Sequence, residues 1–264
     1  MRCLLQAGAR HDMSATNYID RLQAAGRFTF TTKEAIHALG TSPVAARASL
    51  RRLKRREQIA SPYRGFHVIV PPAYRRLGCL PADLFIPDLM AYLREPYYVG
   101  LLTAAKYHGA GHQVPMVFQV IVPVARRGLQ CGEVCIGFVA RRDMRATPVL
   151  ERNTDTGVIR IATPEATAVE LVGYPEHCGY LSNVATVLGE LAECSDAEQL
   201  AVEAAKAPVA WIQRLGYLLS LVGADDLAAS VERVVSERNA FTVALALGMA
   251  RTGAPGQVPR PEAW

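Results

Sequence analysis

The sequence predicts an α+β protein: a small N-terminal domain of helices and one hairpin, followed by a larger mixed α/β domain that becomes helical toward its end. Two observations lead to this division. Residues 1–78 contain 14 Lys and Arg against 4 Asp and Glu, whereas residues 79–264 contain 15 against 20. Helix-start and turn signals are dense in the first part. Half of the 264 residues are hydrophobic, which is enough for two packed cores, and no apolar run is long enough to span a membrane.

The N-terminal domain is predicted to begin with two short helices. Residues Asn17–Ala25 place their apolar side chains on one side of a helix, and Phe28–Phe30 is prone to form a strand. Thr31 then precedes Glu34 by three residues, which is the spacing of a capping box. The helix that this box starts is expected to end at Gly40.

A third helix and a hairpin complete this domain. Ser42 is a candidate N-cap, and Pro43 suits the first helical position because its missing N–H costs nothing there; the helix is predicted to continue to about Glu57. Two β-prone runs around a turn with Pro and Gly predict a hairpin over residues 59–70. Two helices joined by a tight turn and followed by a hairpin are the order of a winged helix-turn-helix, which we assign to residues 17–78.

The C-terminal domain is assigned to residues 96–252, after a connector over residues 79–95. Its first element is predicted to be an apolar helix, Tyr97–His108. Thr163 followed by Pro164 predicts a helix start, and from there to about Arg238 the chain is expected to be mostly helical. Predicted strands cover 117–122, 134–139 and 158–162, and flexible ends are expected at 1–16 and 253–264, with either Met1 or Met13 as the start.

The third helix can present two different faces. On a helical wheel, Ala46, Leu50 and Leu53 form a narrow apolar face suited to burial, and the basic residues lie on the other side. A helix of this kind fits the major groove of DNA, where Arg can contact guanine edges or phosphates. Residues near its N-terminus would lie closest to the bases, and those farther along would contact phosphates. The predicted DNA-binding residues are Thr41, Ser42, Val44, Arg47, Ala48, Arg51, Arg52, Lys54, Arg55 and, at the hairpin tip, Arg64.

The alternative for this basic face is a solvated helix surface without a partner. The neighbouring caps, the tight turn and the hairpin favour DNA binding, because motif context distinguishes the two. A polyanion partner for this end alone also explains the uneven charge.

Catalytic and metal-binding signals are weak. His108 and His112 have the spacing of a helical zinc pair, but the glycines between them disfavour a helix and no Glu lies there. Cys131 and Cys135 do not have CxxC spacing and lack a second pair. We therefore predict no metal, no cofactor and no enzyme activity. The six scattered cysteines are expected to be free thiols in a reducing cytoplasm, and no signal peptide is predicted.

Several stretches together resemble the AbiEi family of bacterial antitoxins, from type IV (abortive infection) toxin–antitoxin systems. In order and spacing they cover roughly residues 17–225. The stretches are Arg64–Val68, Pro96–Ala105 with His108-Gly109, Thr163–Thr167 and Gln213–Leu219.

This resemblance implies an N-terminal domain that represses its own operon and a C-terminal antitoxin domain, in which Glu165 and Arg214 are candidate site residues. The implied partners are double-stranded DNA at the protein's own promoter, as an inverted repeat, and a nucleotidyltransferase-like toxin that is countered without a stable complex. The chain departs from the family by carrying Ala166 and Glu170 where many relatives have Arg and Asp. An antitoxic role that rests on those side chains is therefore in question.

Two other functions remain open. In the first, the acidic C-terminal portion binds and neutralises a partner directly, and DNA binding is incidental. In the second, an RNA-directed enzyme uses scattered residues such as Glu165, Glu170 and Arg214.

Overall fold

In the computed structural model, residues 13–111 and 116–238 are described, and they form two compact units. The first unit comprises residues 13–96 with Arg127–Ile136 and Asn153–Ile159. The second comprises residues 97–111 and 116–126, Gly137–Arg152 and residues 160–238. Residues 1–12 of the expected N-terminal end, His112 and the expected tail at 253–264 lie outside the described residues.

Three helices and a three-stranded sheet open the first unit. Thr31 forms the predicted capping box, because its hydroxyl accepts from Glu34 N at 3.2 Å while the Glu34 carboxylate accepts from Thr31 N at 2.6 Å. Gly40 ends the helix in the left-handed conformation, with φ of 62°. The elements are α1 (Ala15–Ala24), β1 (Thr29–Thr31), α2 (Thr32–Leu39), α3 (Pro43–Arg55), β2 (Ile59–Tyr63) and β3 (Phe66–Ile69).

The sheet has the order β1-β3-β2, and both pairs are antiparallel. The three helices pack on a common core in which Tyr18 meets Phe30 edge-on, with ring centroids 5.5 Å apart. The helices and the hairpin that local sequence signals predicted are therefore present. Buried members of this core are Tyr18, Ile19, Phe30, Ala35, Leu39, Ala46, Leu50, Leu53, Ile59 and Ile69.

The stretch predicted as a connector is structured and well buried. It follows a 3₁₀ turn, Pro72–Leu77, and itself forms a second one, Ala82–Leu84, and then α4 (Ile86–Leu93). Phe85 and Leu89 are completely buried. It belongs to the first compact unit, and the boundaries predicted for the domains stay predictions.

The second sheet has six strands in the order β6-β7-β5-β4-β9-β8. Strand β4 is antiparallel to β5, with Tyr98 opposite Ile121, and parallel to β9, with Val99 opposite Ile161. The strands are β4 (Tyr98–Val99), β5 (Val117–Val122), β6 (Leu129–Cys131), β7 (Val134–Ala140), β8 (Val149–Thr154) and β9 (Gly157–Ala162).

The predicted helix over Tyr97–His108 is wrong at its start. Tyr98 and Val99 form a strand between two neighbours, and α5 covers only Leu101–Tyr107. A short apolar run does not distinguish a buried strand from a buried helix, which explains the error. Strands β6 and β8 were not predicted, because β8 carries the polar run Glu151–Thr154 and β6 is only three residues long.

Helices dominate the chain after β9, as the sequence predicts. Thr163 caps the first of them by accepting from Ala166 N at 3.3 Å. None of the helices within residues 13–111 and 116–238 has the length and apolar character needed to cross a bilayer. The helices are α6 (Pro164–Gly173), α7 (Tyr180–Leu191), α8 (Ala197–Ala204), α9 (Val209–Leu221) and α10 (Asp225–Glu237).

Candidate nucleic-acid interface

Helix α3 is held in place by its cap and by one apolar face. The Ser42 hydroxyl accepts from Ala45 N at 3.3 Å, and Pro43 occupies the first turn, as expected. Ala46, Leu50 and Leu53 are at most 4% exposed and belong to the core of the three helices. The orientation of α3 is therefore fixed by packing, independently of its basic residues.

The opposite face of α3 is basic and exposed to solvent. Ala48 is half-buried, and Val44 is 71% exposed at the start of the helix. Within residues 13–111 and 116–238, none of the basic side chains of α3 forms an ion pair with an acidic residue. This face therefore keeps its positive charge for a partner. The exposed members are Thr41 and Ser42 before the helix and Arg47, Arg51, Arg52, Lys54 and Arg55 within it.

A cleft of about 300 Å³ lies between α3 and the β2–β3 hairpin. Basic side chains of α3 line one side, namely Arg47, Arg51 and Lys54. The other side carries hydroxyl and imidazole groups, from Thr32, Ser61 and His67. Such a cleft offers both positive charge and hydrogen-bonding groups to an anion.

His67 is a positioning group and not a cation of this cleft. Its Nε2 lies 2.8 Å from the Thr32 hydroxyl and its Nδ1 lies 2.9 Å from the Ser61 hydroxyl. Burial, together with the nearby ammonium of Lys54, lowers the pKa of His67 to about 4. The ring is therefore neutral at pH 7, and it stacks on Phe30 with centroids 5.2 Å apart.

The hairpin tip presents Arg64 to solvent on a fixed turn. The Arg64 carbonyl accepts from the Tyr92 hydroxyl at 3.1 Å, and the Gly65 carbonyl accepts from Thr32 N at 2.9 Å. Gly65 has φ of +80°, and a Cβ there would lie 2.8 Å from the Tyr92 hydroxyl. The tip is thus tied to α2 and α4, so Arg64 projects from a rigid support.

The two candidate residues of the C-terminal part have structural partners. The buried Glu165 carboxylate accepts from Asp196 N at 3.0 Å, which joins α6 to the start of α8. Arg214 donates from Nη1 to the Val172 carbonyl at 2.7 Å, which joins α9 to the end of α6. Each of these side chains therefore binds the backbone of a segment outside its own helix.

A buried polar cluster in the second unit consists of Glu170, Tyr98, Arg141 and Thr147. Glu170 is completely buried, and its Oε1 accepts from Arg141 Nη1 at 2.8 Å and from the Tyr98 hydroxyl. Its Oε2 accepts from Leu101 N at 3.4 Å. Burial raises the pKa of Glu170, while Arg141 and the hydrogen bonds oppose that rise. The cluster links α6 to β4 and to the segment that follows β7.

Sequence comparison identifies this second part of the chain. Residues 98–221 match the family model described as the AbiEi antitoxin C-terminal domain. The chain carries an AbiEi antitoxin domain. This match confirms the family resemblance for the stretches within residues 98–221.

The crystal structure of the RV2827C protein from Mycobacterium tuberculosis is similar to most of this chain. Its TM-score is 0.63 at 19% identity, with 86% of this chain and 82% of that chain covered. At this identity the likeness shows a shared fold. No curated protein matches the chain.

The AbiEi match divides the predicted site residues. Glu165 and Arg214 lie inside it, together with the Glu170 cluster, and the predicted DNA-binding residues all lie before it. Sequence reasoning missed Arg141, since nothing local to it signals a buried partner. Glu170 had a signal in the sequence, because it is the one carboxylate in the otherwise apolar run Ala168–Val172 of a predicted helix. Within the described parts of the chain, no group of three or more His, Cys, Asp or Glu residues is placed to hold a metal.

Proposed function

We propose that the protein is a cytoplasmic antitoxin that binds double-stranded DNA through an N-terminal winged helix-turn-helix and represses its own operon. In this proposal α3 is the recognition helix, the β2–β3 hairpin is the wing, and the AbiEi domain counters a nucleotidyltransferase-type toxin. The observation that carries the DNA-binding part is the exposed basic face of α3. The AbiEi match supports the antitoxin part.

The geometry supports a division of labour within the DNA-binding surface. Arg47 lies in the first half of α3 and Arg51 one turn further along on the same side, so both are nearer than Lys54 and Arg55 to the end that reaches base edges in helix-turn-helix proteins. Lys54 and Arg55 are in its last turn and suit phosphates. Arg64 projects from the wing and suits a phosphate or the minor groove.

Binding to the protein's own promoter tests this proposal, with scrambled DNA of equal composition as the competitor. Affinity should fall steeply with salt, because phosphate contacts release counterions. Arg51→Ala should reduce the preference for the promoter by about 1–3 kcal/mol. Arg64→Ala should weaken binding to both DNAs alike and lower the salt slope by about 1.

Arg145→Ala is the matched control, because Arg145 is equally exposed but lies in a 3₁₀ turn of the second unit. It should leave affinity and salt slope unchanged. Equal affinity of the wild type for promoter and scrambled DNA would refute the repressor proposal.

The antitoxin role is tested separately from repression. The toxin gene is placed under an independent inducible promoter, so that growth rescue no longer depends on operon control. A variant with Arg47, Arg51 and Arg55 changed to Ala should lose promoter binding and keep growth rescue, because all three side chains lie outside the AbiEi domain. Loss of rescue in this folded variant would contradict the assignment of the antitoxin role to the AbiEi domain.

Direct neutralisation of a toxin by contact is the second candidate function. Its motivation is that the AbiEi match covers residues 98–221 and so leaves out the basic residues of α3, which makes the antitoxin domain separable from DNA binding. A stable complex of the full-length protein with the toxin, surviving gel filtration, would support it over action without contact. Recovery of the two proteins in separate peaks, with rescue intact, would reject it.

A further inference from the structure

Two cysteines of the first unit, Cys79 and Cys131, contact each other although they are far apart in the sequence. Cys79 is completely buried, and Cys131 is half-buried in strand β6. Each thiol shifts the pKa of the other, raising that of Cys79 and lowering that of Cys131. No function described above uses this pair.

The backbones that carry the two cysteines are also in contact. Glu133 N donates to the Leu77 carbonyl at 2.8 Å, and a Cβ on Gly132 would lie 2.9 Å from Gly78 Cα. Because Leu77 and Gly78 lie against Gly132 and Glu133, the next residue of the first segment, Cys79, and the preceding residue of the second, Cys131, are brought close together. A disulfide joins residues whose Cα atoms are about 4.4–6.8 Å apart, and segments in direct backbone contact at the adjacent residues are suited to such a separation.

The surroundings of Cys131 favour its thiolate. The neighbouring Cys79 thiol lowers the pKa of Cys131, against the opposing effect of burial. The backbone N–H of Ser61 and the ammonium of Lys54 lower this pKa further. Burial and the same thiol contact raise the pKa of Cys79, which therefore stays protonated. A reachable thiolate beside a second thiol is the arrangement of oxidation-sensitive cysteines.

We propose that Cys79 and Cys131 are an oxidation site that forms a reversible disulfide when the protein meets hydrogen peroxide. The Cys131 thiolate attacks one peroxide oxygen, the O–O bond breaks, and the departing hydroxide takes a proton to become water. Cys79 sulfur then displaces the hydroxyl of the resulting sulfenic acid, and the Cys79 proton leaves with that hydroxyl as a second water. Two thiols lose two electrons and two protons, and a dithiol reductant reverses the step.

The bond would join the segment after the wing to β6, which contacts wing strand β2 through Ser61. It would also remove a thiolate beside Lys54 of α3. The proposal goes beyond DNA binding and does not depend on it, because the chemistry involves only the two thiols and peroxide.

Peptide mapping of the full-length protein tests the proposal. The protein is treated with hydrogen peroxide, its remaining thiols are alkylated, and it is digested with trypsin and a Glu-specific protease. Cleavage after Arg76, Arg127 and Glu133 separates Cys131 from Cys135 and from Cys79. We expect a linked pair of the peptides beginning at Leu77 and Gly128, two hydrogens lighter than their sum, which disappears after dithiothreitol.

Variants identify the attacking sulfur and keep the test independent of a single readout. Cys79→Ser should give a sulfenic acid at Cys131 that dimedone traps, Cys131→Ser should give no link, and the matched Cys135→Ser should keep the link. Complete alkylation of both cysteines after peroxide treatment of the native protein would overturn the proposal. A link through Cys135, or one that forms as fast in urea as in the native state, would overturn it equally.

Discussion

Removal of the Arg141 guanidinium should strongly destabilise the AbiEi domain. The Glu170 carboxylate is completely buried, and Arg141 is its charged partner at 2.8 Å. Breaking such a pair from one side leaves an uncompensated buried charge, which costs about 3–5 kcal/mol. Arg141→Met keeps most of the aliphatic volume, so the loss reports the charge and its hydrogen bonds rather than a cavity.

The matched variants separate charge from packing. Glu170→Gln removes the buried charge and should cost less, about 1–3 kcal/mol, because its partners lose part of their hydrogen bonding. Once the Glu170 charge is absent, Arg141→Met should lower the free energy of unfolding by less than it does in the wild type. The double variant should therefore be more stable than the sum of the two single losses predicts. Arg142→Met, at the exposed neighbouring position, should change stability by less than about 0.5 kcal/mol.

Trp211 provides the assay. Its ring packs on Gly173 of α6, the helix that carries Glu170, and lies 5.3 Å from the Tyr174 ring. The chain has two tryptophans, so a Trp264→Phe background leaves Trp211 as the only fluorescent indole. Urea unfolding monitored by its emission gives the free energy of unfolding for each variant.

The pH dependence of the stability loss caused by Arg141→Met provides an independent check that a buried negative charge is its cause. The pKa of Glu170 is raised in the folded state by burial, and loss of Arg141 removes the main opposing charge. The folded state therefore binds a proton more readily than the unfolded chain, and lowering the pH from 7.5 toward the ordinary carboxyl range should shrink the penalty of Arg141→Met. The reasoning would be refuted if Arg141→Met lowered the free energy of unfolding by no more than Arg142→Met does. It would also be refuted if Arg141→Met lowered it by the same amount in the wild type and in the Glu170→Gln background.

The N-terminal unit yields two further predictions. Gly65→Ala should destabilise by more than Gly40→Ala: both glycines have positive φ, but only at Gly65 would a Cβ meet a neighbour, 2.8 Å from the Tyr92 hydroxyl. Thermal unfolding checks the order, and equal losses would show that the Tyr92 contact does not matter. Ser42→Ala should lower the free energy of unfolding by about 1 kcal/mol, because it removes the hydroxyl that accepts from Ala45 N. Ser42→Asp should keep most of that stability, because its carboxylate can accept the same hydrogen bond. Urea titration measures both, and an unchanged midpoint in the Ala variant would contradict the capping role.

Much of the N-terminal unit was predictable because its signals act over a few residues. The Thr31 and Ser42 caps, Pro43 at the first turn and Gly40 at a helix end each depend on contacts within about four positions. The spacing of Ala46, Leu50 and Leu53 likewise identified the buried face of α3, and thereby left its basic face outward. The exposure of Arg47 and Arg51 follows from that same periodicity.

The AbiEi domain was less predictable because its decisive contacts join distant segments. Tyr98 and Val99 form a strand because β5 and β9 pair with them, and the apolar run they belong to fits a buried helix equally well. Glu165 and Arg214 were candidates for chemistry, yet the structure gives each a backbone partner.

The sequence by itself determined the local elements of this protein, the uneven distribution of its charge and the basic face of α3, since all of these depend on near neighbours along the chain. Only the tertiary structure decided which buried groups meet. Arg141, just after the end of β7, reaches Glu170 of helix α6, and Cys131 lies close to Cys79 where two glycine backbones approach each other. The physical reason is that a buried charge or thiol acquires its chemistry from the partner that packing places beside it, and such partners lie far away in the sequence.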